Sequence, residues 1–427
     1  MKEGARLQSV IDILALHEAD KKPLDQVCYG YFKTRRYIGS KDRQAVAAYV
    51  YGVMRYRASC DWWALERGVS PLLMAPLEAA RIRLCTYLWI FEKLPRDKFG
   101  ILFSGEKYAP SKISDKEKAV FEKIPELQRR LPWVEGEFPE WLFPFLKRRF
   151  GENLKPEMQA FLEQAPLDLR VNTLKTSREE VSKNLERTGL AFSLTSLSPW
   201  GLRCKERENI TQTSAFQEGL VEVQDEGSQL IVTVVDAEPA QAVLDLCAGA
   251  GGKTLALAAL LQNKGRIVAT DTALWRLKRT KERLKRAGAF NVELRELSGL
   301  HDKWLKRQAE RFDRVLVDAP CSGSGTWRRN PDQKWNITVE DIKELTALQK
   351  SLLDAAAPLV KPGGFLVYAT CSLLCEENED VATAFLEAHP SFSLVPCGLE
   401  GEPFLSLSPL QNNTDGFFAA KFEKTRE

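Results

Sequence analysis

Apolar residues recur at helical spacing through the first hundred positions, as Leu7, Val10, Ile11, Leu14 and Ala15 and again as Val46, Tyr49, Val50, Val53 and Met54. That is the 3.6-residue period of helices that bury one face. Ser40, with Asp42 and Arg43 close behind it, reads as a helix start. Residues 1–103 are therefore predicted as an all-α domain, with Trp62, Trp63, Tyr87 and Trp89 among its core aromatics. Residues 104–137 lose the sustained apolar face, carry several lysines and prolines, and read as a partly helical linker. Residues 138–151 resume an amphipathic helix that stops at Gly151, a residue suited to a C-terminal cap.

The period changes at Leu167. LDLRVNT alternates as a strand, Ser177 with Glu180 three residues later carries a capping-box signature, and short strands follow. Residues 138–210 so make a small α+β subdomain. Arg170 and Asn172 share one side of its first strand, opposite Leu169 and Val171, and read either as a solvated polar face or as an RNA contact. From 211 to 427 strand and helix alternate, with AVLDLC, GRIVATD, RVLVDAP and GFLVYATC as apolar strands and DGFFAAKFEK as a closing one. Such alternation predicts an α/β Rossmann-like domain with a mostly parallel sheet, whose ligands bind outside the carboxyl ends of the strands. The fold class is multidomain: all-α, then small α+β, then α/β.

Composition narrows this only slightly. A chain of 427 residues exceeds one hydrophobic core, in keeping with several domains. Lysine and arginine number 61 against 58 acids, which excludes a bulk polyanion-binding composition and leaves local basic faces open. The nine cysteines have no regular spacing and the N-terminus is charged early, so they are expected as reduced thiols in a cytoplasmic protein. No apolar run approaches the roughly 20 residues that cross a bilayer. His17, His301 and His389 are scattered, so neither a metal site nor a histidine triad is expected.

Chemistry gathers behind the strands. The first runs into LDLCAGAGGKT, where Gly249, Gly251 and Gly252 let the backbone turn tightly toward a ligand at the next helix N-terminus. A Walker A loop would need glycine at Cys247, and a GxGxxG fingerprint would need it at Thr254. What remains is either a structural glycine turn or, with Asp245 in the strand before it, an S-adenosylmethionine (SAM) type of loop formed by Cys247, Ala248, Gly249, Ala250, Gly251, Gly252 and Lys253. Asp271, ending the next strand, is placed to accept the ribose hydroxyls.

Two thiols, Cys321 and Cys371, follow apolar strands, and Asp318 stands three residues before the first. Either cysteine alone fits a buried structural role. Together they suggest paired thiols at one site. Methylation of carbon 5 of cytosine calls for such a set: a thiolate adds at carbon 6 and activates carbon 5, an acid near nitrogen 3 offsets charge, and a base removes the carbon-5 proton. The spacing does not say which cysteine attacks. Cys28, Cys60, Cys85, Cys204 and Cys397 lack this setting, and Cys375 pairs with Cys371 in sequence without the further ligands of a zinc site.

LDLCAGAGGKT, DAPCSGSGTWRRNPDQKW, VYATCSLLCEENE and DGFFAAKF, with the upstream EGLVEVQDEGSQL and APLDLRVN, resemble the RsmB (Sun/Fmu) branch of the RNA cytosine-5 methyltransferases. RRYIGSKDRQAVAAYVYGVMRYRASCDWW resembles the NusB-like antitermination-factor domain of that branch, a helical RNA-binding module, and the small subdomain would be RRM-like. The resemblance implies SAM as cofactor, Cys371 as nucleophile, Cys321 as the group that releases product, and Asp318 orienting the cytosine beside the cofactor. It implies RNA as partner, small-subunit ribosomal RNA first and transfer RNA as the alternative, with no membrane and a monomeric chain. A reading from another class is a non-catalytic RNA-binding or antitermination factor, against which the intact Cys321, Cys371 and Asp318 weigh. One departure stands out: Leu297 and Ser298 occupy the place where the family carries an acid near the adenine, and Asp302 lies a few residues on.

Two basic surfaces are candidates for RNA. The helical run after Asp271 carries basic residues from Arg276 to Arg286 against one acid, Glu282, as a solvated face or a phosphate contact. Arg328, Arg329, Lys334 and Trp335 share the loop system of Cys321 and are expected to grip an unstacked nucleotide.

Overall fold

The computed structural model describes residues 1–122, 131–187, 189–206 and 209–426. The chain divides into two compact units: Met1–Glu163 with Arg329–Ile337, and Gln164–Arg328 with Thr338–Glu427.

The first unit is helical, and the expected periodicity explains it. Helix Glu3–Asp20 buries Leu7, Val10, Ile11 and Leu14, and helix Ser40–Arg55 buries Val46, Val50, Val53 and Met54. Helix Pro76–Ile90 opens on a proline, whose missing N–H costs nothing at a first turn. It is buried almost all round, so it lies at the centre of the bundle and packs against Glu3–Asp20. Its buried Arg83 is held by Asp61 at 2.7 Å and Glu18 at 3.1 Å. Tyr87 is buried, and Trp63 and Trp89 pack half-buried against the same core.

The stretch expected as a linker is built into this unit. Val120 and Phe121 join the core, and Glu117 is buried in an ion pair with Arg81 at 2.6 Å. Positions 123–130 of that stretch lie outside the described residues. Residues 329–337 also belong here: Trp335 donates from Nε1 to the Met54 carbonyl at 3.1 Å, and Leu24 N–H donates to Asp332 at 3.0 Å.

The second unit holds two sheets. In the smaller, β1 (Leu167–Val171), β2 (Phe192–Leu194), β3 (Gly201–Cys204) and β4 (Val221–Val223) lie antiparallel in the order β2-β3-β1-β4, with helix Arg178–Arg187 beside them. The capping box forms: Ser177 Oγ accepts from Glu180 N–H, and Glu180 accepts from Ser177 N–H, both at 3.2 Å.

The larger sheet comprises β5 (Ala242–Asp245), β6 (Arg266–Asp271), β7 (Val292–Glu296), β8 (Phe312–Asp318), β9 (Val360–Thr370), β10 (Phe392–Val395), β11 (Leu405–Leu407) and β12 (Phe417–Lys424). Its order is β10-β12-β9-β8-β5-β6-β7, with β11 paired to β12. Neighbours from β9 to β7 are parallel, and β12 is antiparallel to both β9 and β10. Alternate residues feed two cores. Val243, Ile267, Leu316 and Val367 face one, with helices Glu226–Val235 and Gly252–Leu260; Leu244, Val268, Val315, Val317 and Tyr368 face the other, with helices Val339–Ala356 and Glu379–Ala388. Burial on both sides is why these strands read as unbroken apolar runs. The chain leaves β5 toward β6 and β7, then returns to its other side as β8. The carboxyl ends of β5 and β8 therefore flank a topological switch point, where open α/β sheets bind ligands. No helix among the described residues is long and apolar enough to cross a membrane.

Candidate active site

The loop after β5 lies at that switch point. Gly249 and Gly251 have φ of 56° and 80°, and a Cβ on Gly251 would strike the Thr280 side chain, so glycine is required there on both counts. Helix Gly252–Leu260 then starts, leaving its first N–H groups directed at the crevice. Asp271, at the end of β6, accepts from Gly249 N–H at 3.0 Å and from Ala273 N–H at 2.8 Å. One carboxylate thus joins the glycine loop to the next strand. Asp245 is buried; one oxygen accepts the Thr254 hydroxyl at 2.6 Å and the other, Oδ1, has no hydrogen-bond partner among the described residues. Burial pushes Asp245 up to about 7 and raises the Cys247 thiol as well. An orphaned buried oxygen, a ribose-height carboxylate and open helical N–H groups fit a cationic sulfonium cofactor with an adenosine body.

The thiols come from neighbouring parallel strands. Asp318 lies opposite Ala369 in the β8–β9 register, which brings the residues just beyond each strand side by side. The Cys321 and Cys371 sulfurs are 3.4 Å apart. The hydrogen bond to Cys371, followed by burial, pushes the Cys321 thiol well above its ordinary value. Lys253, from the glycine loop, donates to Asp318 at 2.6 Å. Burial works against the Lys253 ammonium, but Asp318, and behind it Cys371, hold it above its ordinary value. Cys247 to Lys253, Asp271, Asp318, Cys321 and Cys371 therefore share one end of one sheet. All nine cysteines are free, and no group of three or more metal-ligating side chains gathers among the described residues.

Other expected residues fall elsewhere. Arg328 is buried and paired with buried Asp415 at 3.2 Å, so its charge is spent inside the second unit. Lys334 is buried in the helical unit, where burial pushes it down to about 7 and the Glu137 charge partly offsets that push. Burial likewise raises Glu137 to about 7. Arg329 and Trp335 lie half-buried in the helical unit. Arg328 and Lys334 thus do not form the exposed basic rim expected of them, because each faces a buried carboxylate. Lys334→Met is accordingly expected to lower stability by on the order of 3 kcal/mol, the cost of stranding a buried acid. Thermal unfolding measures that loss, and an RNA affinity whose salt dependence weakened in this variant would return Lys334 to the surface role.

Arg170 and Asn172 are also buried. Arg170 donates to Gln224 and to the Gly252 carbonyl, and Asn172 donates to the carbonyls of Gly219 and Ala287 at 2.8 Å each. Arg170 braces the small sheet against the cofactor loop, and Asn172 ties it to the end of helix Leu274–Ala287. Along helix Leu274–Ala287, Arg283 and Arg286 pair with Glu222, while Trp275 is exposed. After β7, Leu297 is buried, and the Asp302 carboxylate turns back to accept from the N–H and hydroxyl of Ser298, both at 3.0 Å. The Lys253–Asp318 pair is not legible from spacing, since lysine in a glycine loop ordinarily signals phosphate.

Comparison with known proteins agrees with this architecture. A family model for the 16S rRNA methyltransferase RsmB/F matches residues 232–423, and a ferredoxin-like domain model of RsmF/B-like methyltransferases matches 138–211. A probable ribosomal RNA small subunit methyltransferase B of Synechocystis sp. is 37% identical over 298 residues, 67% of this chain and 67% of that protein. The ribosomal RNA small subunit methyltransferase B of Pectobacterium atrosepticum is 38% identical over 288 residues, covering 67% and 66%. The aligned part thus spans about two thirds of these relatives. Among solved structures, that of PH0851 covers 99% of both chains with a TM-score of 0.82 at 31% identity. A methyltransferase homolog from Pyrococcus horikoshii covers 69% of this chain and 97% of its own, with a TM-score of 0.61 at 34% identity. With the glycine loop and its acids at the switch point of a matching sheet, the chain belongs to the RsmB/F family of SAM-dependent methyltransferases.

Proposed function

We propose that this enzyme methylates carbon 5 of a cytosine in small-subunit ribosomal RNA through a covalent adduct to Cys371. The observation that carries the proposal is the pair of sulfurs 3.4 Å apart at neighbouring strand ends, with the Lys253–Asp318 pair beside them. Carbon 5 of cytosine is too poor a nucleophile to be methylated unaided. Cys371 loses its proton and its sulfur bonds to carbon 6, which shifts electron density to carbon 5. SAM, when bound, supplies the methyl group that carbon 5 then takes. Asp318 accepts from the cytosine amino group and so orients the base, and the Lys253 ammonium that holds it offsets the negative charge that builds on the ring. Once the Cys371 sulfur is bonded to carbon 6 its thiol hydrogen bond to Cys321 is lost, and Cys321 gives its own proton to solvent. The thiolate so formed receives the carbon-5 proton as the bond between Cys371 and carbon 6 breaks, the Cys371 sulfur takes a proton back, and the net reaction releases one proton. The helical unit, read as NusB-like, and the ferredoxin-like sheet would add RNA contacts, and a monomer acting in the cytoplasm fits reduced thiols.

Labelled SAM incubated with 16S ribosomal RNA, with the assembled small subunit and with transfer RNA provides the test. Label at carbon 5 of a cytosine in the ribosomal RNA is expected. Label confined to transfer RNA, at another atom, or absent from every RNA would reject the proposal.

A further inference from the structure

A buried carboxylate that the mechanism does not use lies behind the two thiols. Glu377 sits in the turn between β9 and helix Glu379–Ala388 and is fully buried. Its Oε1 accepts from Ser322 N–H at 2.8 Å and from Gln349 Nε2 at 3.0 Å. Its Oε2 accepts from the hydroxyls of Ser322 and Ser372. Ser322 follows Cys321 and Ser372 follows Cys371, so each thiol is one residue from an anchor on the same carboxylate. Gln349 also donates to the Pro320 carbonyl at 2.9 Å, fixing the other side of Cys321. The Tyr368 hydroxyl donates to the Glu377 carbonyl.

We infer that Glu377 is a positioning residue: by tying together the loops after β8 and β9, its carboxylate sets the separation of the two thiols. This rests on the two-thiol reading above. Two arguments support it. No lysine or arginine pairs with Glu377 among the described residues, so uncharged donors alone offset the cost of burying it, and an apolar side chain would serve the core as well. A carboxylate in that position accepts several hydrogen bonds at once, and adds its hold next to the thiols to the direct bonds between the two loops from Leu373 N–H to Ser324 Oγ at 2.8 Å and from Gly325 N–H to the Cys371 carbonyl at 2.9 Å. Its charge also adds to the effects that keep the Cys321 thiol protonated, behind the Cys371 hydrogen bond and burial.

The conservative variant separates geometry from charge. In Glu377→Gln the amide oxygen can still accept from Ser322 N–H and Gln349, while the amide nitrogen donates to serine hydroxyls that turn to accept. Glu377→Ala removes every tie to this carboxylate and leaves the direct bonds between the two loops. The probe is phenylarsine oxide, an arsenical that bridges two close thiols, titrated into the full chain carrying Cys375→Ser to remove a neighbouring thiol. Cys321→Ala and Cys371→Ala, each of which leaves one thiol of the pair, define the unbridged affinity.

Glu377→Ala is expected to weaken bridging by about 10–100-fold and to lower kcat to a similar degree with KM for SAM unchanged, the usual range for losing an outer support. Glu377→Gln is expected to restore most of both. Bridging that is unchanged in folded Glu377→Ala, a glutamine variant that rescues nothing, or a parent chain that does not bridge would each overturn the inference. If Glu377→Ala does not fold, Glu377→Asp keeps the charge and shortens its reach to both loops; weakened bridging supports the inference and unchanged bridging overturns it. Arsenical binding needs no RNA. A chain that bridges as expected but methylates no cytosine therefore rejects the proposed reaction and leaves the positioning role standing.

Discussion

Cys371→Ala is expected to abolish methyl transfer, and Cys321→Ala to leave RNA covalently attached to the enzyme after denaturation. The two sulfurs are equivalent in distance, 3.4 Å from one another, but not in surroundings. The hydrogen bond to Cys371 and then burial hold the Cys321 thiol well above its ordinary value, in keeping with its proposed part as the proton carrier rather than the attacking sulfur. Cys371 acts electrostatically on the Lys253 ammonium, a cation suited to the negative charge of an attacking sulfur. Without Cys371 no bond to carbon 6 forms, and the rate falls by on the order of 10⁴-fold or more, as when other covalent enzymes lose their nucleophile. Without Cys321 the attack and the methyl transfer proceed, but the carbon-5 proton lacks its acceptor and the adduct persists. Gel mobility of the denatured enzyme with labelled RNA reads this directly. An adduct in Cys371→Ala and none in Cys321→Ala would exchange the two roles.

Much of the catalytic unit was legible because period and punctuation agree along the chain. β5, β6, β8 and β9 are apolar on both faces, and their ends are marked by Asp271, Asp318, Cys371 and a glycine loop, all within a few residues of a strand. What could not be read depends on partners distant in sequence. Arg328 resembles any loop arginine until Asp415, far along the chain, is seen buried against it. Lys334 and Trp335 follow the Cys321 loop in sequence, but they are built into the helical unit, where Met54 and Glu137 meet them. Val120 and Phe121 lie among lysines that hide how deeply both are buried. Periodicity reports which side of an element is apolar, and says nothing of which charge will be neutralised from elsewhere.

The same limit hid the role of Lys253, for which Lys253→Met is the second large expected effect. The sequence places this residue with the cofactor loop, where its loss would weaken SAM binding. In the structure its ammonium reaches past that loop to Asp318 at 2.6 Å and lies near Cys371, so it joins the cofactor loop to the reacting groups. The loop holds its shape by other means, through Asp271 on Gly249 N–H and Thr280 on the Gly249 carbonyl. Methionine has nearly the same length and leaves the apolar contacts along the side chain in place, but removes the charge that fixes Asp318 and faces the sulfur. At saturating SAM and RNA, kcat is expected to fall by about 10²–10³-fold, the range for losing one preorganised electrostatic contact. SAM affinity, measured by calorimetry without RNA, is expected to change by about threefold or less, because an effect confined to the transition state leaves ground-state binding alone. A variant whose lost rate returns when SAM is raised would return Lys253 to cofactor binding. Loss of kcat at unchanged SAM affinity would make this cation the electrostatic partner of the Asp318 and Cys371 pair.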